Sequence, residues 1–318
     1  MTKKGNGTAM YKCIFVNGGA GRMICSLPAL EKFIRNNPES YIITEGGMDF
    51  VLGNKLLQDR TFESNSKGIF ENIIRNGEII TTEPYREWEY YNQKISLAQA
   101  FDKQINGSYE PAENYKVKLT LNKEEELYGL AITKAAKEKH GKEKTIVIQP
   151  FGRGVIKDDN LSLCVDHGSR SIELSTYLKI VNTLKEHYNL ISMSEFEIYG
   201  DNITLAPKDI TLRKWAGVIE QCDYFIGCDS VGQHIARGYE IPGTVILGST
   251  FAINVSYPGF FNIIEKEGIQ KRYDPIRISE LACVESNRIN DSCMNFNEEE
   301  EDKIIKNILS DIKQKVGE

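Results

Sequence analysis

Short apolar runs of strand-forming residues recur along the chain, and most are followed by a turn and a longer stretch with helical spacing. Tyr11 to Asn17 (YKCIFVN) reads as a first strand, followed by GGAGR and the helical pattern MICSLPALEKFIRNN. Tyr41 to Glu45 (YIITE) reads as a second strand ending in Gly46-Gly47, and Glu78 to Thr82 as a later one. An N-cap at Asn122 opens a helix through KEEELYGLAITKAAKEKHG, expected to close a first domain, with Lys142 to Lys144 as linker. Thr145 to Gln149 opens a second domain as a buried strand broken by Pro150 and Gly152. The stretch SRSIELSTYLKIVNTLKEHYNLI reads as a helix, Glu197 to Gly200 as the end of a strand, and Leu212 to Cys222 as another helix.

The densest signal runs from Cys222 to Thr250. Tyr224 to Ile226 and Thr244 to Leu247 read as buried parallel strands. Between them Asp229 and Ser230 are N-cap residues, His234 to Ala236 supply a helical turn, and Gly238, Pro242 and Gly243 end it. Strand, capped turn and helix make an anion site, with the N–H groups of Val231, Gly232 and Gln233 pointing out of the helix start. An ordinary crossover with a surface cap fits the spacing equally well. At the end of the chain, Asn297 to Val316 is an amphipathic helix: Ile304, Ile305, Ile308, Leu309 and Ile312 share a face, with acids early and lysines late.

These repeated strand–helix units make an α/β protein. The 318 residues suffice for two domains, drawn here as 1–141 and 145–295, with the helix of 296–318 expected to pack back toward the first domain. A net charge of −6 provides no global basic field for nucleic acid or anionic membrane. No apolar span of about 18 residues occurs, so the expectation is a soluble, cytoplasmic protein without stable membrane insertion. The seven cysteines form no CxxC pair and are odd in number, which fits buried thiols and neither a disulfide framework nor a zinc site.

The GGAGR turn is not the dinucleotide fingerprint, because Ile24 takes the third glycine position. Gly18, Gly19 and Gly21 let a ligand or a facing domain approach the backbone; Arg22 either faces a phosphate or lies on the surface. Glu45, Asp49 and Glu83 stand near strand ends, where a general base belongs, although each alone is more commonly a solvated carboxylate. The loop from Glu83 to Asn92 is dense in Tyr85, Trp88, Tyr90 and Tyr91, rings that either stack on a sugar or base or form a satellite core. Asp158, Asp159, Asp166 and His167 lie in a polar loop and either contact an acceptor or are solvated.

The Cys222–Thr250 block resembles the donor-site signature of the heptosyltransferase family of glycosyltransferases. That signature has Asp-Ser/Thr-Gly, two residues, a His, a small-residue helix, a Pro and a closing Gly-Ser/Pro-Thr; Asp229, Ser230, His234, Ala236, Pro242, Gly248, Ser249 and Thr250 fall in register with it. Val231 replaces the family's Gly. The likeness extends to the Leu27–Leu30 helix and is strongest from Thr145 to Thr250. It implies a GT-B architecture, two Rossmann-like domains with parallel sheets facing across a cleft, and no cofactor beyond a nucleoside diphosphate sugar as donor substrate. The family's Lys, seven residues before an aromatic, falls on Arg170, which would hold the pyrophosphate with Arg153; Ser230, Val231, Gly232 and His234 complete the donor site, and Asp229 takes sugar hydroxyls. The family acid after the glycine is Arg22 here, and an arginine cannot deprotonate an acceptor. No Asp-x-Asp element occurs, so cations and helix dipoles are expected to offset leaving-group charge without a metal.

The acceptor is a saccharide by family default. A hydroxylated base of viral DNA is the alternative that the aromatic loop suits. A nucleotide-sugar epimerase and a non-catalytic nucleotide-sugar-binding protein are two further readings, the last supported by Arg22.

Overall fold

Parallel strands require crossover connections, and the alternation of apolar runs with helical stretches supplies them. The structure, a computed structural model, describes residues 10–158, 163–166, 169–198, 200, 203–205, 210–269, 277–279, 284–285 and 293–317. It falls into two units: Met1–Glu87 with Leu97–Thr120, and Trp88–Ser96 with Leu121–Glu318.

In the first unit, β1 (Tyr11–Asn17), α1 (Ala20–Asn36), β2 (Tyr41–Glu45), β3 (Thr61–Glu63), α2 (Ile69–Asn72) and β4 (Gly77–Thr81) follow one another. The chain next forms α3 (Trp88–Tyr91), a part of the second unit, before α4 (Leu97–Asn106). The sheet is parallel with order β3-β2-β1-β4, so strand order reverses between β1 and β4. Cys13 and Ile14 of β1 and Ile42 and Ile43 of β2 are buried. α1 packs on α4 through Asn106 Nδ2, which donates to Ala29 O (3.0 Å), and through Lys32, whose Nζ lies 3.0 Å from Asp102. The buried Asp102 also accepts from Tyr115 and Asn106, so its charge is compensated and its oxygens are filled.

The second unit continues with α5 (Lys123–His140), β5 (Thr145–Gln149), the antiparallel pair β6 (Ile156–Asp158) and β7 (Leu163–Val165), α6 (Leu174–Leu184), β8 (Asn189–Ser192), β9 (Thr204–Leu205), α7 (Leu212–Glu220), β10 (Tyr224–Gly227), α8 (Val231–Gly238), β11 (Gly243–Leu247), α9 (Ala252–Val255) and β12 (Asn262–Glu265). A second antiparallel pair, β13 (Arg277–Ser279) and β14 (Val284–Glu285), precedes α10 (Glu298–Val316). The main sheet is parallel in the order β9-β8-β5-β10-β11-β12. Counted along the chain this is the 3-2-1-4-5-6 order of the Rossmann fold, with its reversal between β5 and β10. All residues of β5, β8, β10 and β11 are buried, as a sheet covered on both faces requires.

The structure differs from expectation at two elements. The helix capped by Asn122 has the expected capping box with Glu125, but it belongs to the second unit, where it packs on α7. Glu125 takes a two-pronged bond from Arg213 (2.5 and 2.6 Å), and Gly129 meets Gly217 so closely that a Cβ there would lie 2.0 Å from Gly217 O. The unit boundary accordingly falls at Thr120, ahead of the helix. The terminal helix begins as expected, with Asn297 and Glu300 as capping box. Its Ile304, Ile305, Ile308 and Ile312 join the second unit's own core, and α10 packs on α6, β11 and β12. The described residues between 197 and 200 are not in a strand; the strand is β8, Asn189–Ser192, at the end of the stretch expected to be helical.

The aromatic loop is shared out. Tyr85 covers Arg22 in the first unit, Tyr90 is buried in the second, and Trp88 is exposed beneath Lys94 (Nζ 4.1 Å from the ring centre). The backbone around Tyr90 is pinned by Asn254, whose Nδ2 donates to Tyr90 O and Ile95 O, each at 2.8 Å.

Candidate functional site

Ligands of open α/β sheets bind outside the carboxyl ends of the strands where strand order reverses. In the second unit that point lies between Gln149, the last residue of β5, and Cys228–Ser230, which follow β10.

Gln149 ties the two strand ends together. Its Oε1 accepts from Gly232 N (2.8 Å) and its Nε2 donates to Ser230 Oγ (3.1 Å). Ser230 is the N-cap residue of α8 in extended conformation, yet its side chain makes no capping bond; the cap comes from the neighbouring strand. One of the three helix-start N–H groups expected to face an anion is therefore taken by the protein. Val231 is the first residue of α8 and is absent from the positive-φ positions, so this turn has no need of the family's glycine.

Asp229 is buried, and its Oδ2 accepts from Thr250 Oγ1 (3.0 Å) and lies 3.0 Å from Arg170 Nε. Arg170 Nη2 also donates to Asp229 O at 2.9 Å. The side chains differ in exposure: 47% for Arg170 against 7% for Asp229. Arg170 is not at a helix start, because α6 begins at Leu174 with Glu173 as N-cap. It stands in a loop organised by Asp166, whose Oδ2 accepts from Ser171 N (2.9 Å) and Ser171 Oγ (2.6 Å), while Ser171 Oγ accepts from Gly152 N (2.9 Å). Asp166 is thus a structural carboxylate; Asp159 and His167 lie outside the described residues. Arg153 is exposed on the turn after β5.

His234 is buried in α8, with Nδ1 2.8 Å from Tyr257 OH. Burial pulls its pKa down to about 4, against a smaller upward pull from Asp229, so the ring is neutral at pH 7. Burial raises the Cys228 thiol and the Asp229 carboxylate raises it further, so it is no thiolate nucleophile. The other described free cysteines, Cys13, Cys25, Cys222 and Cys293, are also buried.

In the first unit the reversal point brings Arg22, in the first turn of α1, to Thr82 and Glu83, which follow β4. Arg22 Nη2 donates to Thr82 O (3.0 Å), and Nη1 lies 3.5 Å from Glu83 Oε1, with side-chain exposures of 4% and 9%. Its guanidinium carbon sits 4.8 Å from the centre of the Tyr85 ring and 5.5 Å from that of Phe101. The Arg22 side chain folds over Gly18, whose φ of +103° and missing Cβ make room: a Cβ there would lie 2.9 Å from Arg22 Cδ. Gly18 thus serves Arg22. Gly19, the uncapped N-cap of α1, has open space around it, and Gly21 lies in that helix's first turn. Glu45 is exposed at the end of β2, and Asp49 is half-buried in a short 3-10 turn behind the left-handed Gly47.

Sequence reasoning gave no role to Gln149 or Tyr257. A polar residue closing an otherwise apolar strand was the available signal for Gln149. For Tyr257 there was none. Among the described residues no group of three or more His, Cys, Asp or Glu side chains is arranged to hold a metal ion.

No protein-family model matches the chain, and no curated protein matches it in sequence. Solved structures do match in fold. A glycosyl transferase family 9 protein from Veillonella parvula DSM 2008 aligns over 83% of this chain and 90% of its own, at 13% identity and a TM-score of 0.59. The ADP-heptose LPS heptosyltransferase II of E. coli aligns over 95% and 99%, at 9% identity and a TM-score of 0.58. TibC, a dodecameric iron-containing heptosyltransferase of enterotoxigenic E. coli H10407 solved with ADP-D-beta-D-heptose, aligns over 83% of this chain at 11% identity and a TM-score of 0.53. The present chain spans 64% of TibC. At these identities the likeness establishes architecture: the chain has the α/β fold of GT-B glycosyltransferases, with two parallel-sheet units.

Proposed function

We propose that the protein is a glycosyltransferase that moves a sugar from a nucleoside diphosphate sugar to an acceptor hydroxyl, with a saccharide as acceptor. The observation that carries this reading is the half-exposed Arg170 fixed beside Asp229 at the reversal point of the second sheet. In the reaction the bond between the anomeric carbon and the diphosphate oxygen breaks as the acceptor oxygen attacks that carbon; the acceptor's proton passes to a base, and the nucleoside diphosphate departs with the bond's electron pair and one negative charge more than it carried in the donor. Arg170, assisted by Arg153 and the Val231 N–H at the start of α8, would offset that charge without a metal ion. Asp229 would accept a sugar hydroxyl and orient the ring. Neutral His234 supports the turn from behind and carries no charge into it.

The base is assigned to the first unit, to Glu45 or Asp49. Glu83 is a poor base, because its carboxylate is paired with Arg22 and its side chain is enclosed. The GT-B fold and the ADP-heptose bound by TibC support a nucleotide-sugar donor.

The second reading is a nucleotide-sugar-binding protein that does not transfer. It is favoured by Arg22, which fills the position of the family's acid and is closed onto Glu83. Mass spectrometry of the protein with a panel of nucleotide sugars, with and without saccharides or hydroxymethylated DNA, separates the two. Appearance of free nucleoside diphosphate together with a glycosylated acceptor supports transfer; binding without even slow donor hydrolysis overturns it.

A further inference from the structure

The Arg170–Asp229 pair does not hold itself in place. The turn after β11, Gly248 to Thr250, grips both of its sides. Ser249 N donates to Ser169 O at 3.1 Å, immediately before Arg170, and Thr250 Oγ1 donates to Asp229 Oδ2 at 3.0 Å. Ser249 and Thr250 are buried. The approach is tight: a Cβ on Gly248 would lie 2.2 Å from Ser169 O, and Ser169 itself adopts a left-handed φ of 51°. A non-glycine residue held there marks a loop whose shape is imposed by its surroundings.

The consequence for Asp229 is a division of labour between its two oxygens. Oδ2 receives both Thr250 and Arg170, whereas Oδ1 makes no hydrogen bond to the described residues. The carboxylate is thereby locked about its χ2 axis. The Arg170 guanidinium, engaged through Nε and Nη2, is held to the same frame. The site presents a cationic edge and a single acceptor oxygen side by side, which matches an anionic group joined to a hydroxylated ring.

We propose that Thr250 is a positioning residue: by filling Asp229 Oδ2 it fixes Arg170 for the diphosphate and leaves Oδ1 for a sugar hydroxyl. This rests on the donor-site reading above. The test is calorimetric titration with ADP, GDP, UDP and CDP of the full chain and of Thr250→Val, Thr250→Ser, Arg170→Ala and the Thr250→Val/Arg170→Ala double variant, with thermal melts as folding control. Thr250→Val should weaken the nucleoside diphosphate that binds by about tenfold, the effect of losing one charge-assisted contact, while Thr250→Ser restores it. The double variant should bind within about twofold of Arg170→Ala, because both changes remove the same interaction. If Thr250→Val does not fold, Asp229→Asn, which places a donor group against Arg170, should show the same loss. Wild-type affinity in Thr250→Val, or additive losses in the double variant, overturns the positioning role while leaving the donor site intact. A full chain that binds none of the four nucleotides overturns the donor-site reading, and this proposal with it.

Discussion

Each sheet brings an arginine and a carboxylate together at the point where its strand order reverses, Arg22 with Glu83 in the first unit and Arg170 with Asp229 in the second. Arg22 is sealed beneath Tyr85 and Phe101, and its side chain is 4% exposed. Arg170 leaves 47% of its side chain open to solvent, anchored from behind by Asp229. The same pair of residue types is thus an enclosed structural bolt in one turn and, in the other, half open to solvent where the proposed donor would lie. Enclosure sets the difference: a buried charge is satisfied by its protein partner or destabilises the fold, whereas a half-exposed charge keeps its attraction for an incoming anion.

The comparison breaks most visibly if a carboxylate of the first unit is the base. Alanine at whichever of Glu45 and Asp49 acts as base should lower kcat by about 10²–10⁴-fold with near-native stability, while Arg22→Asp gains no transfer activity. Near wild-type kcat in both alanine variants would remove the base from this pair.

Stability measurements test the bolt. Arg22→Met strands the enclosed Glu83 carboxylate and should cost about 3–5 kcal/mol in urea unfolding, with Arg22→Met/Glu83→Gln recovering most of it. Arg170→Ala also takes a partner from the buried Asp229, but it removes a half-exposed side chain and lets water reach that carboxylate, so it should cost less, about 1–3 kcal/mol. Equal losses from the two arginines would contradict the assigned roles.

A pH titration sharpens the second turn. His234 is held neutral in the fold, with its pKa near 4, whereas in the unfolded chain it takes a proton near pH 6.5. Its contribution is therefore complete above about pH 6.5 and is lost as pH falls toward 4, to a total of about 3 kcal/mol. His234→Gln should flatten unfolding free energy across that window. An unchanged slope would show that another group governs it.

Binding effects are smaller. Arg170→Ala should weaken nucleoside diphosphate by about 1.5–3 kcal/mol, as for a charge-assisted hydrogen bond. Asp229→Ala should weaken it as well, because Asp229 orients that arginine; the reading of Asp229 as a contact for the sugar alone is revised by the 3.0 Å pair. Calorimetry on both variants decides, and an Asp229→Ala protein with native nucleotide affinity would separate the two residues again. The smallest effect is expected from chelation: EDTA should leave turnover unchanged, and complete loss restored by Mg²⁺ or Mn²⁺ would displace Arg170 as the main compensating charge.

The sequence by itself determined many of the elements and several of their ends, although β8 was hidden in a helical pattern. The strand at Tyr11, the capping boxes at Asn122 and Asn297 and the α8 turn are written in periodicity and in residues three or four apart, interactions that need no knowledge of the fold. It also marked Asp229 at a capped turn of the second domain; Arg170 was marked by the family resemblance, at a helix start where the structure has a loop. Only the tertiary structure decided which groups meet. Arg22 reaches Thr82 across 60 residues, Arg170 reaches Asp229 across 59, and Gln149 reaches Gly232 across 83. Those meetings follow from the order of strands within each sheet, which local pattern does not encode. The same holds for α5 and α10. Amphipathicity fixed the isoleucine face that α10 buries against α6, β11 and β12, whereas α5 buries Glu125, Gly129, Thr133 and Ala136 against α7 and leaves Leu127 and Leu130 exposed, a face that periodicity does not mark.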